Sequence, residues 1–358
     1  ANAGQTARTA DGFSLPQPGH VFVFPRDYGS HNDFKIEWWY ITGHLFAEDG
    51  RRFGFQATFF RSARLPVDAL TNTPSSPLDN NTIFLTHMAL LDVKSGTFVH
   101  QQRLNRDGWD ASAASDHLDV RNGNWSLCMT DTNRQTMSLR GSVGGQASFQ
   151  LELKPLKPLV VFGKNSVSRK AADPTAASYY LTFPRLQANG QVVFGSETNA
   201  VRGQAWMDHE ISSSQLGANQ TGWDWCCLQF KDGCEIMAYR MRRQDGTQDD
   251  YSTLAWVGTD GKVTQLPSAG FHLETVRTWR SPKTGAVYPV SIRLFTRDVA
   301  GRPVSFLLEP LADNQELAGR SLAYWEGSCR VRDDQGREVG SAFLELTGYT
   351  GNLQKNLQ

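Results

Sequence analysis

The chain has 358 residues, about twice the usual single-domain length of roughly 150, so two domains are expected. Its 36 basic and 36 acidic residues cancel, and the pI lies near 7.3; no strongly basic face is implied, which argues against nucleic acid or an anionic membrane as the main partner. With 39% hydrophobic and 20% charged residues the composition excludes general disorder, and no apolar run approaches the roughly 20 residues that cross a bilayer.

In chain order, alternating polar and apolar runs predict strands over residues 21–24, 37–45, 53–60, 83–93, 148–153 and 179–183. The second half continues with 222–230, 234–241, 290–296, 305–310 and 341–347. Turn dipeptides such as Asp49-Gly50, Ser95-Gly96, Asn122-Gly123, Asp232-Gly233 and Asp260-Gly261 lie between most runs and signal hairpins. No segment of 12 or more residues carries a 3.6-residue period. The polar stretch 163–174 reads as a long loop. The fold class is all-β.

The segment from Trp38 to Arg61 reads as an aromatic strand, an Asp-Gly turn and a strand ending in Arg. Trp223 to Arg243 repeats that plan about 185 residues later. Together with the length, this echo favours two related barrels in tandem, divided as 1–205 and 206–358. Five cysteines (Cys128, Cys226, Cys227, Cys234, Cys329) show neither CxxC nor zinc-finger spacing, which argues against a full disulfide framework and a structural metal. The sequence begins at Ala1 with no leader pattern, and a mature secreted or periplasmic protein is the expectation.

The sequence holds no GxSxG elbow, Walker loop, HExxH or Rossmann glycine fingerprint. It offers instead acidic residues within aromatic strands. Period-two geometry puts Glu37 on a face with Trp39, Ile41 and Leu45, and Asp224 on a face with Cys226, Leu228 and Phe230. Asp208 falls with Trp206 and Glu210, and Tyr324-Trp325-Glu326-Gly327 is a fourth such place. A carboxyl group facing an apolar interior rises in pKa unless a cation or donors hold it ionised, and so can serve as a general acid. The alternative is an architectural pair with arginine. A two-residue turn at Asp232-Gly233 would set Trp225 against Arg240, and a three-residue turn would set Asp224 there. His87 reads more readily as a hydrogen-bonded core residue than as a catalyst, and the neighbours of His209 point away from it in a strand. Trp38, Trp39, Trp206, Trp223, Trp225, Tyr239 and Trp325 form a core or line an apolar pocket whose indole faces stabilise positive charge.

Six motifs carry a resemblance: Glu37-Trp38-Trp39-Tyr40-Ile41-Thr42-Gly43, Ala177-Ser178-Tyr179-Tyr180, Gly203-Gln204-Ala205-Trp206-Met207-Asp208-His209-Glu210, Gly222-Trp223-Asp224-Trp225, Tyr324-Trp325-Glu326-Gly327 and Glu345-Leu346-Thr347-Gly348-Tyr349. In this order they resemble the AttH and carotenoid 1,2-hydratase family, over nearly the whole chain. The resemblance implies two lipocalin-like (calycin) β-barrels side by side. Its functional implication is mixed, since relatives include hydratases of acyclic carotenoids, a fungal hydratase of a prenylated plant compound, and Diels–Alderases. In the carotenoid hydratases the strand after the Trp-rich motif is acidic after its Tyr, whereas here Arg240 follows Tyr239.

The expectation is therefore a protein that binds a lipid, isoprenoid or polyene and hydrates or isomerises a C=C bond without cofactor or metal. Hydrating an alkene needs a proton donor, a placed water and aromatic faces for the cation. Asp208 or Asp224 is the expected acid, with Glu37 or His209 orienting the water. Trp39, Trp206, Trp225 and Tyr239 form the wall, with Trp38, Tyr40, His87, Tyr180, Trp223, Trp325 and Glu326 as further ligand contacts. A non-catalytic carrier is the second reading; a secreted hydrolase or a pericyclase stands behind it.

Overall fold

The computed structural model describes residues 7–64, 82–108, 110–319 and 322–351. The first sheet begins with β1 (Ile36–Ala47), β2 (Arg52–Ala63), β3 (Thr82–Asp92), β4 (Thr97–Arg106), β5 (Ala111–Ala113), β6 (Asp119–Asn122) and β7 (Trp125–Asp131). It continues with β8 (Thr136–Val143), β9 (Ala147–Pro155), β10 (Val160–Phe162), β11 (Ser168–Arg169), β12 (Ala177–Phe194) and β13 (Glu197–Ser214). The second sheet holds β14 (Gln220–Phe230), β15 (Glu235–Arg243), β16 (Thr253–Val257), β17 (Val263–Pro267) and β18 (His272–Arg280). Its remaining strands are β19 (Val287–Arg297), β20 (Pro303–Pro310), β21 (Glu316–Ala318), β22 (Ala323–Arg332) and β23 (Glu338–Leu346). Both sheets are antiparallel. No helix among the described residues is long and apolar enough to cross a membrane.

The strand order is β4-β3-β2-β1-β13-β12-β9-β8-β7-β6-β5 in the first sheet, with β10 and β11 on β12. In the second it is β17-β16-β15-β14-β23-β22-β20-β19-β18, with β21 on β22. The chain forms two compact units. One comprises Ala1–Ile41, Gln56–Met88 and Gln101–Gln215; the other comprises Thr42–Phe55, Ala89–His100 and Leu216–Gln358. The division runs through β1 to β4 and is not one cut in sequence.

In the second unit, buried apolar side chains from β14, β15, β16, β18, β19, β20, β22 and β23 join one core. Phe306 of β20 meets Phe230 of β14 at 4.8 Å between ring centroids and Trp256 of β16 at 6.1 Å. These strands stand several places apart in the ladder, so the sheet must curl nearly into a barrel to bring them together.

In the first unit the burial patterns separate two kinds of strand. β9 alternates, with Phe149, Leu151 and Leu153 inside and the residues between them exposed, the signature of a sheet with one wet face. β1, β12 and β13 are buried on both faces over residues 36–41, 177–186 and 205–213. Polar side chains there lie away from water whichever way they point, and need partners within the protein.

The sequence reading of the strands is extended in places and corrected in one. The run at 179–183 belongs to β12, which is 18 residues long and bulged between Phe183 and Leu186. Residues 21–24 are not a strand, because the Asp27 carboxylate takes the Val23 N–H at 2.6 Å and Pro25 has none to give. The stretch 163–174 is irregular apart from the two residues of β11. Both echoed hairpins close through three-residue loops: Ala47 N–H bonds the Arg51 carbonyl and Phe230 N–H bonds the Cys234 carbonyl, each at 2.9 Å. Gly50 (φ +83°) and Gly233 (φ +91°) take the left-handed position that such loops require. The longer loop fixes the register that pairs Asp224 with Arg240.

Candidate functional site

On one face of β1 and β13, Glu37 is fully buried and every oxygen lone pair is used. Its Oε2 accepts from Arg61 Nε (3.1 Å), the His31 backbone N–H (2.8 Å) and the Ser30 hydroxyl (3.3 Å). Its Oε1 meets His31 Nδ1 at 2.9 Å and His209 Nε2 at 2.8 Å. His31 Nε2 continues to Asp27 at 3.1 Å, and Trp39 stacks on the His209 ring at 4.8 Å. Burial alone would raise Glu37, but His31, the bond from His209 and Arg61 outweigh it and hold the carboxyl well below its ordinary range. Asp27, also opposed by burial, is drawn down to about 2 by His31, the Val23 N–H and Arg26. His31 rises despite burial because Glu37 and Asp27 flank it, while burial keeps His209 below the ordinary imidazole range.

The result is a relay Asp27–His31–Glu37–His209 in which two carboxylates are matched by Arg61 and by His31, whose affinity for a proton they raise. His31, Glu37 and His209 also present donor atoms within 4.8 Å of one another, a spacing open to a metal ion. The hydrogen bonds and the balanced charge account for the group as a relay. The expectation that Glu37 sits among apolar groups is corrected: it shares the face of Trp39 and Ile41 but is an ion-paired carboxylate, not an acid near neutrality.

The opposite face holds a different carboxyl. Asp208, 3% exposed, takes the Thr182 hydroxyl (2.6 Å) and the Trp206 indole N–H (2.7 Å) on Oδ1, and the Tyr180 hydroxyl (2.7 Å) on Oδ2. All three donors are uncharged. Burial therefore dominates, and with the nearby Glu210 charge it pushes the Asp208 carboxyl up to about 7 against the pull of these donors. Glu210, two residues on, accepts from Ser178 (2.5 Å) and pairs with Lys170 at 3.2 Å, both on Oε2. The Lys170 ammonium also lies 4.6 Å from the centre of the Tyr180 ring, and Phe162 meets Tyr180 edge-on at 5.2 Å.

Because Glu37 and Trp39 both meet His209, Trp38 between them turns to the Asp208 side of the sheet. Its ring lies 6.1 Å from Phe60, which lies 5.5 Å from His87; Tyr40 shares this side by alternation. Strand geometry thus corrects two expectations. His209 and Glu37 cannot place a water for Asp208, since they stand across the sheet from it. Trp39 belongs to the relay, not to a wall with Trp206.

In the second unit, Asp224 is 1% exposed and pairs with Arg240 (Nε, 2.8 Å) and Arg242, and it accepts the Tyr349 hydroxyl at 2.8 Å. Two guanidiniums on one carboxylate make an anchor between β14 and β15, not a proton donor. Asp224 is accordingly removed as a candidate acid. Trp225 stands opposite Tyr239 on the other face of that hairpin, and Trp223 Nε1 donates to Glu345 at 2.5 Å. Trp325 is buried in the core with its indole N–H on the Asp313 carbonyl at 2.8 Å. Glu326 is 1% exposed and pairs in register with Glu345.

Sequence reasoning missed Lys170, Ser178 and Thr182 around Asp208, and Asp27, His31 and Arg61 around Glu37. Lys170 lies in the stretch taken as a loop, and Asp27 and His31 precede β1, so periodicity gave no signal for them. Ser178 and Thr182 stand on alternate positions of β12 with Tyr180, which was a usable one.

An AttH-like family model matches residues 15–349. The crystal structure of a candidate AttH from Nitrosomonas europaea is similar at 34% identity and a TM-score of 0.83, covering 94% of this chain and 99% of that one. Kievitone hydratase from Nectria haematococca is similar at 15% identity and a TM-score of 0.67, covering 95% and 98%. CghA, in its structure with Sch210972, is similar at 17% identity and a TM-score of 0.53, covering 96% and 98%. These last two establish a shared fold. No curated protein matches the sequence significantly. The expected all-β, lipocalin-like architecture is the one found, and the chain belongs to the AttH-like family.

Proposed function

We propose that this protein binds a hydrophobic lipid or isoprenoid and uses Asp208 as a proton donor to hydrate or isomerise a carbon–carbon double bond. The observation that carries this reading is the environment of Asp208: a buried carboxyl with three uncharged donors, pushed up to about 7. Such a group still carries its proton in about half of the molecules at neutral pH and can give it to an alkene carbon. The tertiary cation that results is stabilised by π-faces, and Trp38, Tyr180 and Trp206 supply them on the same side of the sheet. The chemistry calls for no cofactor. That one structural neighbour is named a hydratase agrees with this reading without carrying it.

The carrier reading predicts that every buried acid is matched by arginine. Glu37 and Asp224 follow that pattern, and Asp208 departs from it. Mass spectrometry of an organic extract of the purified protein tests the two. A pair of compounds differing by one water, formed by the wild type and not by the Asp208→Asn variant, supports catalysis. A single unchanged lipid in stoichiometric amount, with no turnover of alkenes in labelled water, leaves the carrier.

A further inference from the structure

Asp208 has a second carboxyl beside it, and the two are treated differently by their surroundings. Asp208 and Glu210 lie on one face of β13, two residues apart, which is about 7 Å along a strand. Tyr180 of β12 stands directly opposite Glu210 in the ladder and reaches diagonally to Asp208, so it sits between them. Asp208 meets only uncharged donors, whereas Glu210 forms an ion pair with Lys170. Ser178 and Lys170 both bind Glu210 Oε2, and among the described residues Oε1 has no hydrogen-bond partner. A carboxylate with one oxygen fixed by a cation and the other open, beside a carboxyl that meets only uncharged donors, is the arrangement that splits acid and base work between two like groups.

We infer that Glu210 is the general base of this site, taking a proton from the water that captures the cation. The inference rests on the reading of Asp208 as the acid. Asp208 transfers its Oδ2 proton to one alkene carbon, the π bond breaking as the C–H bond forms. Water attacks the other carbon, forming the C–O bond, and passes a proton to Glu210 Oε1. Return of that proton to Asp208 through water restores both groups, and the sum is alkene plus water giving an alcohol. Lys170 and Ser178 are positioning residues that fix the Glu210 carboxylate.

The test uses citronellol, a trisubstituted alkene, in D2O and in ¹⁸O-labelled water. Wild type is expected to form ¹⁸O-labelled tertiary alcohol and to put deuterium into recovered alkene. Glu210→Gln is expected to lower alcohol formation by at least about 100-fold while deuterium exchange, which needs only Asp208, continues. Asp208→Asn is expected to lose both. If Glu210→Gln hydrates at the wild-type rate, Glu210 is not the base and Asp208 stands. If the wild type neither hydrates nor exchanges, the Asp208 reading fails and the role of Glu210 falls with it. Should Glu210→Gln fail to fold, the Lys170→Gln, Glu210→Gln double variant removes both charges together and leaves neither stranded, and the same split of exchange from hydration decides.

Discussion

Asp208 and His209 are consecutive on β13 and make their hydrogen bonds on opposite faces of the sheet, Asp208 to Tyr180 and Thr182 of β12, His209 to Glu37 of β1. One strand buried on both faces thus serves a neutral-donor environment on one side and a charged relay on the other. The contrast between these faces sets what each acid can do.

Asp208→Asn is expected to abolish turnover and to cost little stability. Thr182 and Trp206 can still donate to the amide oxygen, and the Tyr180 hydroxyl can turn to accept from the amide nitrogen. The folded carboxyl sits at about 7 against an ordinary 3.8, so the fold binds this proton more tightly than the unfolded chain does. Wild type therefore loses stability relative to the variant as pH rises from about 4 to 7, by roughly 4 kcal/mol at most, with no further change above 7. Parallel urea titrations of the two proteins across that range check this. Activity of the wild type should fall as pH rises above about 7.

The relay predicts the reverse dependence in acid. Asp27 is drawn down to about 2 and Glu37 lies well below its ordinary value, so both contribute stability that is present above the ordinary carboxylate range and is lost as pH falls through their folded values, for Asp27 between about 4 and 2. Asp27→Asn should remove part of it, at most about 2 kcal/mol and less where solvent screens the pair. His31 is raised, so its contribution is present below its ordinary 6.5 and lost as pH rises through the folded value. His31→Gln should accordingly destabilise more at pH 6 than at pH 9, measured by denaturant midpoints.

Asp224→Asn should behave as a structural lesion. It leaves the Arg240 and Arg242 guanidiniums without their carboxylate partner, a loss of about 3–5 kcal/mol for a buried pair. Turnover per folded molecule should remain. A folded, fully stable variant that is inactive would return Asp224 to the catalytic group.

All five cysteines are thiols. Burial pushes Cys226 up to about 12 and raises Cys329 as well. Thiol titration should count five groups after unfolding without reductant. In the native protein only the half-buried Cys128 and Cys234 should react readily.

The all-β class and most strands were legible because period-two patterning and Asp-Gly turns are local signals. Glu37, Asp208 and Asp224 all stood out as acids in aromatic strands, and the sequence could not choose between Asp208 and Asp224 as the proton donor. Their ranking depends on partners in other segments: Arg61 and His31 for Glu37, Thr182 and Tyr180 for Asp208, Arg240 and Arg242 for Asp224. The last pairing turned on one residue of loop length at Lys231, Asp232 and Gly233, which sets the register of the whole hairpin. Lys170 was beyond reach, since a long-range ion pair from irregular chain leaves no periodic trace.

The most direct measurement is the carboxyl titration of Asp208, followed by ¹³C NMR of aspartate-labelled protein and assigned by its loss in Asp208→Asn. A midpoint near 7 is the predicted result. A midpoint near 4 would show an ordinary ionised carboxylate and contradict its role as the proton donor.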